Sequence, residues 1–126
     1  MEFAALPEYV AVARRVAEVV GARGGLGATA LEDLQIAISE VCNRLVTAAH
    51  ASPGATAALR LRFWLEADRV VVEIGGSGEV VTHALADLPG DPFAAFLLKR
   101  LVDGVAPVAP GAGPALRIEK LRPRRE

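Results

Sequence analysis

One predicted helix carries the side chains whose types and spacing could do chemistry. Within residues 29–50, Glu40 supplies a carboxylate, Asn43 an amide and Arg44 a guanidinium, and all three lie opposite the apolar face of that helix. A helix with one packed face and a second face of acidic, amide and basic groups can form the wall of a binding site. The alternative is a solvated face, in which Glu40 and Arg44 form an i,i+4 ion pair that contributes about 0.3–0.5 kcal/mol. Composition alone favours the solvated face.

The other candidate groups lack the spacing of a known catalytic or metal site. The run from Gly75 to Gly78 follows a strand-like segment, but it has neither the lysine of a Walker loop nor a GxGxxG pattern. A tight turn is therefore favoured over a phosphate cradle. His50 and His83 have no metal-ligand spacing with each other or with Cys42, so no metal site is predicted. None of Ser39, Ser52 and Ser77 has the surroundings of a nucleophile elbow.

Composition restricts the class of function. The 126 residues suit one domain, and the formal net charge of −1 gives no electrostatic basis for nucleic-acid binding. The basic tail at 122–126 is interpreted as a solvated terminus. We expect no membrane span, because no apolar run approaches about 18 residues. We expect no signal peptide, because the N-terminus has no basic segment followed by an apolar one. With a single cysteine, these features predict a cytoplasmic protein. The hydrophobic share of 52% suggests that a partner or a second copy covers part of the surface.

Three amphipathic helices are predicted to position the candidate groups. The first spans residues 7–22, with Val12, Val16, Val19 and Val20 on one face. The second spans 29–51 and begins with a capping box at residues 29–32. Its packed face is expected to bury Leu31, Leu34, Ile38, Val41, Cys42, Leu45 and Ala49, with Cys42 as an inert thiol. The third spans 91–105, with Asp91 as N-cap and Pro92 at the first position. Its buried face is expected to contain Phe93, Phe96, Leu97, Leu101 and Val105.

Four segments read as strands. Residues 1–6 form a short edge strand, residues 59–65 and 69–74 form a hairpin, and residues 115–121 form the last strand. The stretch 79–90 is weakly patterned, and the Pro/Gly-rich stretch 106–114 is predicted to be a loop. The resulting order is β-α-α-β-β-α-β. This order predicts an α/β (α+β) two-layer sandwich, in which a mixed, largely antiparallel sheet of four or five strands carries three helices on one face.

Several strings, in this order along the chain, resemble the bacterial anti-sigma factor and serine-protein kinase family of the GHKL, or Bergerat-fold, ATPases. Residues 2–6 and 13–14 look like its first strand and helix, and residues 36–42 look like the start of its N-box helix, written A-V-S-E-A-x-x-N. Residues 71–78 look like its D-x-G-x-G box. Residues 97–103 and 113–118 look like the helix and strand that follow. The resemblance implies one domain over residues 1–121, followed by the basic tail.

The resemblance assigns roles to the chemistry-bearing residues, and it also exposes departures. It implies that Glu40 is the catalytic base and that an Asn four residues later holds Mg²⁺, but that position is Arg44, and Asn43 lies one residue early. A guanidinium in place of a metal ligand repels the metal. The residues left to bind nucleotide under this interpretation are Asn43, Arg44, Gly76, Gly78 and Gly113.

The other parts of the implied nucleotide site are altered too. The Asp that accepts from the adenine amino group is replaced by Ile74, which cannot accept a hydrogen bond. The G-x-G that meets the phosphates falls at residues 92–94, where Pro92 removes an amide donor and Phe93 adds bulk. The implied ATP lid at 79–90 looks short. The final G-T-T keeps Gly113, but Pro114 and Ala115 replace its two hydroxyl residues. Together with the altered N-box, these changes predict a degenerate site with no cofactor.

Three functions follow from this combination. The favoured one is a regulatory domain that binds a sigma factor or an anti-anti-sigma protein without efficient ATP turnover. The second is an Mg·ATP-dependent serine/threonine kinase of the same family with an unorthodox pocket, and the third is a structural subunit of a larger assembly. The resemblance places a partner-binding base at Arg14, although a surface pair between Arg14 and Glu18 would also explain it. It also implies a homodimer.

Overall fold

The computed structural model describes residues 1–52, 54, 56–108 and 114–123. Its elements in chain order are β1 Glu2–Ala4, α1 Pro7–Arg23, α2 Ala28–His50, β2 Ala58–Leu65, β3 Arg69–Ser77, α3 Glu79–Asp87, α4 Pro92–Leu101, β4 Gly104–Val108 and β5 Ala115–Leu121. A 3₁₀ turn, Leu88–Gly90, joins α3 to α4. Within the described residues, no helix combines the length and the apolar character that a membrane span requires.

The strands form one sheet in the order β1-β2-β3-β5-β4, and every neighbouring pair is antiparallel. Alternate side chains of the inner strands join the helices in a single core, as period-two strands require; they include Leu59, Leu61, Val70, Val72, Ile74, Leu116 and Ile118. The other face carries charged side chains, with Arg62 opposite Glu73 and Glu73 opposite Arg117. The predicted two-layer α+β sandwich is confirmed, and the sheet is antiparallel throughout.

Helix α2 packs as its apolar periodicity predicts, but it does not begin as predicted. Its fully buried residues include Leu34, Ile38, Val41, Cys42 and Leu45. The N-cap is Gly27 rather than Thr29, with no side-chain capping bond, so the predicted capping box is wrong. The backbone bond from Leu31 N–H to the Gly27 carbonyl, 2.9 Å, adds an earlier turn. Burial raises the pKa of the Cys42 thiol to about 12, so this thiol is neutral at physiological pH.

Helix α1 turns a different face to the core from the one its valines predict. It buries the smaller residues Val10, Ala13, Ala17 and Gly21, while Val12 and Val19 are 46% and 52% exposed. Small side chains let α1 approach α2 closely. A Cβ added at Gly21 would lie 2.5 Å from Leu31 Cδ1. The close helix contact therefore leaves a stripe of apolar side chains on the outside of α1.

Two elements between β3 and β5 were not predicted. The weakly patterned stretch after Gly78 forms α3, which is anchored by the buried side chains of Val81 and Leu85 one turn apart. The predicted third helix ends at Leu101, and the segment expected to continue it and then loop forms β4. Pro107 is tolerated there because β4 lies at the edge of the sheet and pairs only with β5.

Helix α4 begins as predicted but packs through other residues. The carboxylate of Asp91 caps it, accepting from the amides of Phe93 and Ala94 at 2.9 and 3.1 Å. Ala94 and Leu98 are buried, whereas Phe93 and Phe96 are 66% and 59% exposed. Leu97 and Leu101 are partly buried, and Val105 is an exposed residue of β4. The predicted buried face is therefore wrong for both phenylalanines and for Val105, because the phenylalanines point away from the side of the helix that Ala94 and Leu98 bury.

Candidate functional site

A groove of about 500 Å³ lies where α2, α3 and the start of α4 meet. Its lining brings together all three polar residues that the sequence places on one helix face, and it adds carboxylates from the other elements. The residues that line it are Glu40, Asn43, Arg44, Thr47, Ala48, Ala51, Ala84, Asp87, Leu88 and Asp91. This groove is the candidate site, because candidate polar residues and an accessible concavity coincide there.

The centre of the groove is an ion-pair cluster of Glu40, Arg44 and Asp91, which we name the Arg44 cluster. The Arg44 Nε donates to Glu40 Oε1 at 2.8 Å, and its Nη1 donates to Asp91 Oδ2 at 2.7 Å. The other oxygen of Asp91 already accepts from the first amides of α4. The guanidinium therefore ties the middle of α2 to the first turn of α4.

Hydrogen bonding and charge pairing shift the pKa values of Arg44 and Asp91 toward their charged forms. The hydrogen bond to Glu40, followed by the one to Asp91, raises the pKa of Arg44 above its ordinary value. The pKa of Asp91 is lowered, mainly by the Ala94 amide and then by the Arg44 guanidinium. Both groups are charged at neutral pH. Charge-assisted bonds of this kind are shorter and stronger than neutral ones.

The lowered pKa of Asp91 predicts a stability contribution that is lost in acid. This contribution is fully present above the ordinary aspartate pKa of 3.8 and disappears as the pH falls through the lower folded value. We expect Asp91→Ala, which loses both the cap and the ion pair, to lower the Tm at pH 7 by several degrees. Asp91→Asn keeps a capping oxygen and should lose less. Melting curves from pH 2.5 to 7 measure this Tm difference. A difference between Asp91→Ala and wild type that is as large at pH 2.5 as at pH 7 would contradict the prediction.

Packing and backbone conformation explain Ile74, Gly76 and Gly78 of the implied nucleotide site without a ligand. Ile74 has no exposed surface and lies in the sheet between Leu61 and Leu116. A Cβ at Gly76 would lie 2.5 Å from the Ala58 carbonyl oxygen, and Gly78 has a φ of 99°, which favours glycine. Ile74, Gly76 and Gly78 are absent from the groove lining that the described residues provide. Gly113 falls outside the described residues.

The groups present do not fit Mg·ATP in the arrangement that the family motif implies. Arg44, at the position that the resemblance gives to a metal ligand, donates to the Glu40 carboxylate, and Ile74, at the position that it gives to the adenine acceptor, is apolar and buried. The amides of Phe93 and Ala94, which would meet phosphates, donate to the Asp91 side chain. No group of three or more His, Cys, Asp or Glu among the described residues is placed to hold a metal ion.

Sequence reasoning missed the role of Asp91 in this groove. Its residue type and the following proline identified a helix cap, and the structure confirms the cap. Its bond to Arg44 crosses 47 positions of the chain, and no local pattern indicates such a contact. Asp87 was missed for a related reason, because it lies on the unpredicted helix α3. An i,i+4 pair between Glu40 and Arg44 was considered from the sequence, and it is confirmed.

The partner-binding candidate Arg14 lies on α1 and is exposed. Its carbonyl accepts from Gln35 Nε2 at 3.1 Å, which ties the backbone of α1 to α2. The surface pair considered for it is wrong: Glu18 pairs with Arg15, at 3.3 Å. Among the described residues, the Arg14 guanidinium has no ion-pair partner. It is therefore available on the same helix as the exposed valines.

Comparison with known proteins assigns the chain to a family. The histidine kinase-like ATPase domain family matches residues 3–119. A serine-protein kinase RsbW of Bacillus pumilus is 29% identical over 120 residues, covering 83% of this chain and 74% of that protein. A serine-protein kinase RsbW of Bacillus licheniformis is 30% identical over 79 residues, covering 63% of this chain and about half, 49%, of that protein. The family match extends over nearly the whole fold described above, and the chain belongs to the histidine kinase-like ATPase domain family.

Proposed function

We propose that this chain is a regulatory protein of anti-sigma type that acts by protein contact without efficient ATP turnover. Its partner would be a sigma factor or an anti-anti-sigma protein, as the family resemblance implies. The observation that carries the proposal is the Arg44 cluster, in which a cation fills the position of the metal ligand and binds the candidate base at 2.8 Å.

The free-energy cost of the altered groups supports weak nucleotide binding. An adenine amine placed against Ile74 loses a hydrogen bond, which costs about 1–3 kcal/mol. Phosphates in this groove would meet the carboxylates of Glu40, Asp87 and Asp91, with the Arg44 guanidinium among them. Three losses of about 2 kcal/mol each, at the adenine, metal and phosphate positions, would take a micromolar site to millimolar or weaker. Glu40 then has a structural role as the partner of Arg44.

A kinase function is the second candidate, and one observation favours it. Arg44 and Glu40 both line an accessible groove, and a guanidinium suits phosphate geometry. Both relatives named above are serine-protein kinases. Arg44 would still not bridge phosphate oxygens as Mg²⁺ does in phosphoryl transfer. Incubating the chain with labelled Mg·ATP and candidate anti-anti-sigma proteins separates the two functions: phosphate transfer that Glu40→Gln abolishes would establish the kinase.

The proposed regulatory function is tested by binding. We expect the chain to bind one member of a panel of purified sigma factors and anti-anti-sigma proteins, and to bind it equally with and without Mg·ATP. Surface plasmon resonance measures both affinities. An affinity that rises more than about tenfold with Mg·ATP, which is about 1.4 kcal/mol of coupling, would contradict the nucleotide-independent part of the proposal.

Arg14 is proposed as a partner contact on α1, whose exposed side chains Val12 and Val19 lie on another side of the helix. We expect Arg14→Ala to weaken the partner complex by about tenfold or more, since hot-spot arginines contribute strongly to interfaces. The fold should be unaffected, because a surface substitution changes stability by about 0.5 kcal/mol or less. Arg15→Ala is the matched control, one residue along the same helix. Equal losses for both variants, or no loss for either, would show that Arg14 has no specific role.

We also propose a homodimer, for which the exposed valines of α1 and the outer face of the sheet are the available surfaces. On that outer face, the guanidinium groups of Arg62 and Arg117 lie 5.6 and 5.7 Å from the Trp64 ring centre. Light scattering at tens of micromolar protein measures the mass. A monomer mass at those concentrations would rule out the dimer.

A further inference from the structure

Helix α4 exposes two aromatic rings that the fold does not need. The core contacts of this helix come from Ala94 and Leu98, while Phe93 and Phe96 point away from them. The two rings are three residues apart, so they lie on one side of the helix. The Arg100 guanidinium lies 5.4 Å from the Phe96 ring centre, within cation–π distance. Exposed aromatic rings beside an arginine are typical of interface hot spots.

A concave apolar surface adjoins this helix. A groove of about 420 Å³ runs between the 3₁₀ turn, α4 and β4. Its apolar lining comes from Leu88, Pro89, Ala95, Leu98, Val102 and Val105. Lys99 lies at its rim and is exposed, like Arg100. We name the exposed side of α4, with Phe93, Phe96, Lys99, Arg100 and this groove, the α4 surface.

The charges on α4 itself have one sign, and the adjoining groove adds one carboxylate, that of the exposed residue Asp103. No acidic residue occurs between Pro92 and Val102. The carboxylates that flank this segment are engaged: Asp91 binds Arg44 and the helix amides, and Asp103 Oδ2 accepts from the Leu121 amide at 2.8 Å. Lys99 and Arg100 therefore outnumber the single carboxylate of Asp103, and this excess of positive charge complements an acidic partner.

We propose that the α4 surface binds an amphipathic helix of a partner protein, with an apolar stripe flanked by Asp and Glu side chains. Apolar side chains of that helix would enter the groove and pack against the rings, and its carboxylates would meet Lys99 and Arg100. This surface is additional to the Arg14 contact on α1, and it does not depend on whether the chain binds nucleotide.

Two other occupants fit the observations less well. A second copy related by a two-fold axis would bring this surface against itself, with four cations and two carboxylates in one interface. An anionic bilayer would attract these two cations, but the whole chain carries a net charge of −1, and a concave groove matches a helix ridge better than a flat surface. Charge and shape together therefore favour a helix of another protein.

A pair of designed peptides tests the proposal on the full chain. The probe is a fluorescein-labelled amphipathic helix of about 18 residues, with leucines at i, i+3, i+4 and i+7 and glutamates on both flanks. The control peptide replaces every glutamate by lysine. We expect the acidic peptide to bind with a dissociation constant of about 10–100 μM, and the basic peptide at least about tenfold more weakly. Fluorescence anisotropy measures both.

Matched variants locate the binding. Phe96→Gln should weaken binding of the acidic peptide by about tenfold or more. Ile36→Gln, which replaces an exposed apolar residue on α2, should leave that affinity unchanged. Lys99→Glu with Arg100→Glu should reverse the preference between the two peptides. Equal binding of both peptides to wild type, no binding below about 500 μM, or binding that survives Phe96→Gln would overturn the proposal.

The same variants identify a different occupant. If Phe96→Gln abolishes co-sedimentation of the chain with vesicles of anionic phospholipid, and neither peptide binds, the α4 surface faces a membrane and the proposal is wrong. If Phe96→Gln abolishes self-association in light scattering, and neither peptide binds, the occupant is a second copy and the proposal is also wrong.

Discussion

Replacing Ile74 by Asp, the residue that the family motif has at this position, should leave the protein largely unfolded. Ile74 lies in the core opposite Leu61 and Leu116. A carboxyl group buried there loses its hydration, whether it stays ionised or takes up a proton, and the apolar packing is lost as well. Such changes cost more than about 4–5 kcal/mol, a large part of the about 5–15 kcal/mol that stabilises a typical domain.

Far-UV circular dichroism and thermal melting of the purified Asp variant measure this effect. Ile74→Val is the matched control, because it removes one methylene group and should cost about 0.5–1.5 kcal/mol. An Asp variant that melts within a few degrees of wild type would show that position 74 reaches solvent. In that case, position 74 could contact an adenine ring, and the kinase function would be favoured.

Gly76→Ala should destabilise the fold by about 1–3 kcal/mol or more, even though the residue looks like part of a nucleotide-binding box. The added Cβ would lie 2.5 Å from the Ala58 carbonyl oxygen and 2.6 Å from Val81 Cγ1. The first of these atoms belongs to the backbone of the neighbouring strand and cannot rotate away. Gly76 therefore lets β2 and α3 approach the end of β3.

Urea denaturation measures the free energy of unfolding of this variant. Gly90→Ala is the control, because a Cβ there has no atom within 4 Å and the change should cost little. If Gly76→Ala were as stable as Gly90→Ala, packing would not explain the glycine, and a ligand-binding role would become the better explanation.

The parts of the fold that follow from local patterns could be predicted from the sequence. The apolar periodicity of α2 identified its buried face, and alternation identified β2 and β5. The Asp91–Pro92 pair identified the start of α4. In each case, one short stretch of chain contains the whole physical cause, either a repeating apolar position or a cap followed by proline.

The parts that depend on tertiary contacts could not be predicted. Helix α1 buries Ala13 and Ala17 in place of larger valines, because close approach to α2 outweighs side-chain hydrophobicity. Strand β4 exists because β5 offers an edge for it to pair with. The Arg44 cluster has the same origin, since only the folded chain brings Asp91 to Arg44.

The central claim is that the chain does not bind nucleotide in the way its family motif implies. Titration of the purified chain with Mg·ATP by isothermal calorimetry tests this claim most directly, and a parallel titration with Mg·ADP tests binding of the diphosphate. The Arg44 cluster and buried Ile74 predict no saturable heat with a dissociation constant below about 1 mM for either nucleotide. A thermal-shift scan with the same ligands should show no rise in Tm. A dissociation constant below about 100 μM would contradict the account, and the kinase function would then be the favoured one.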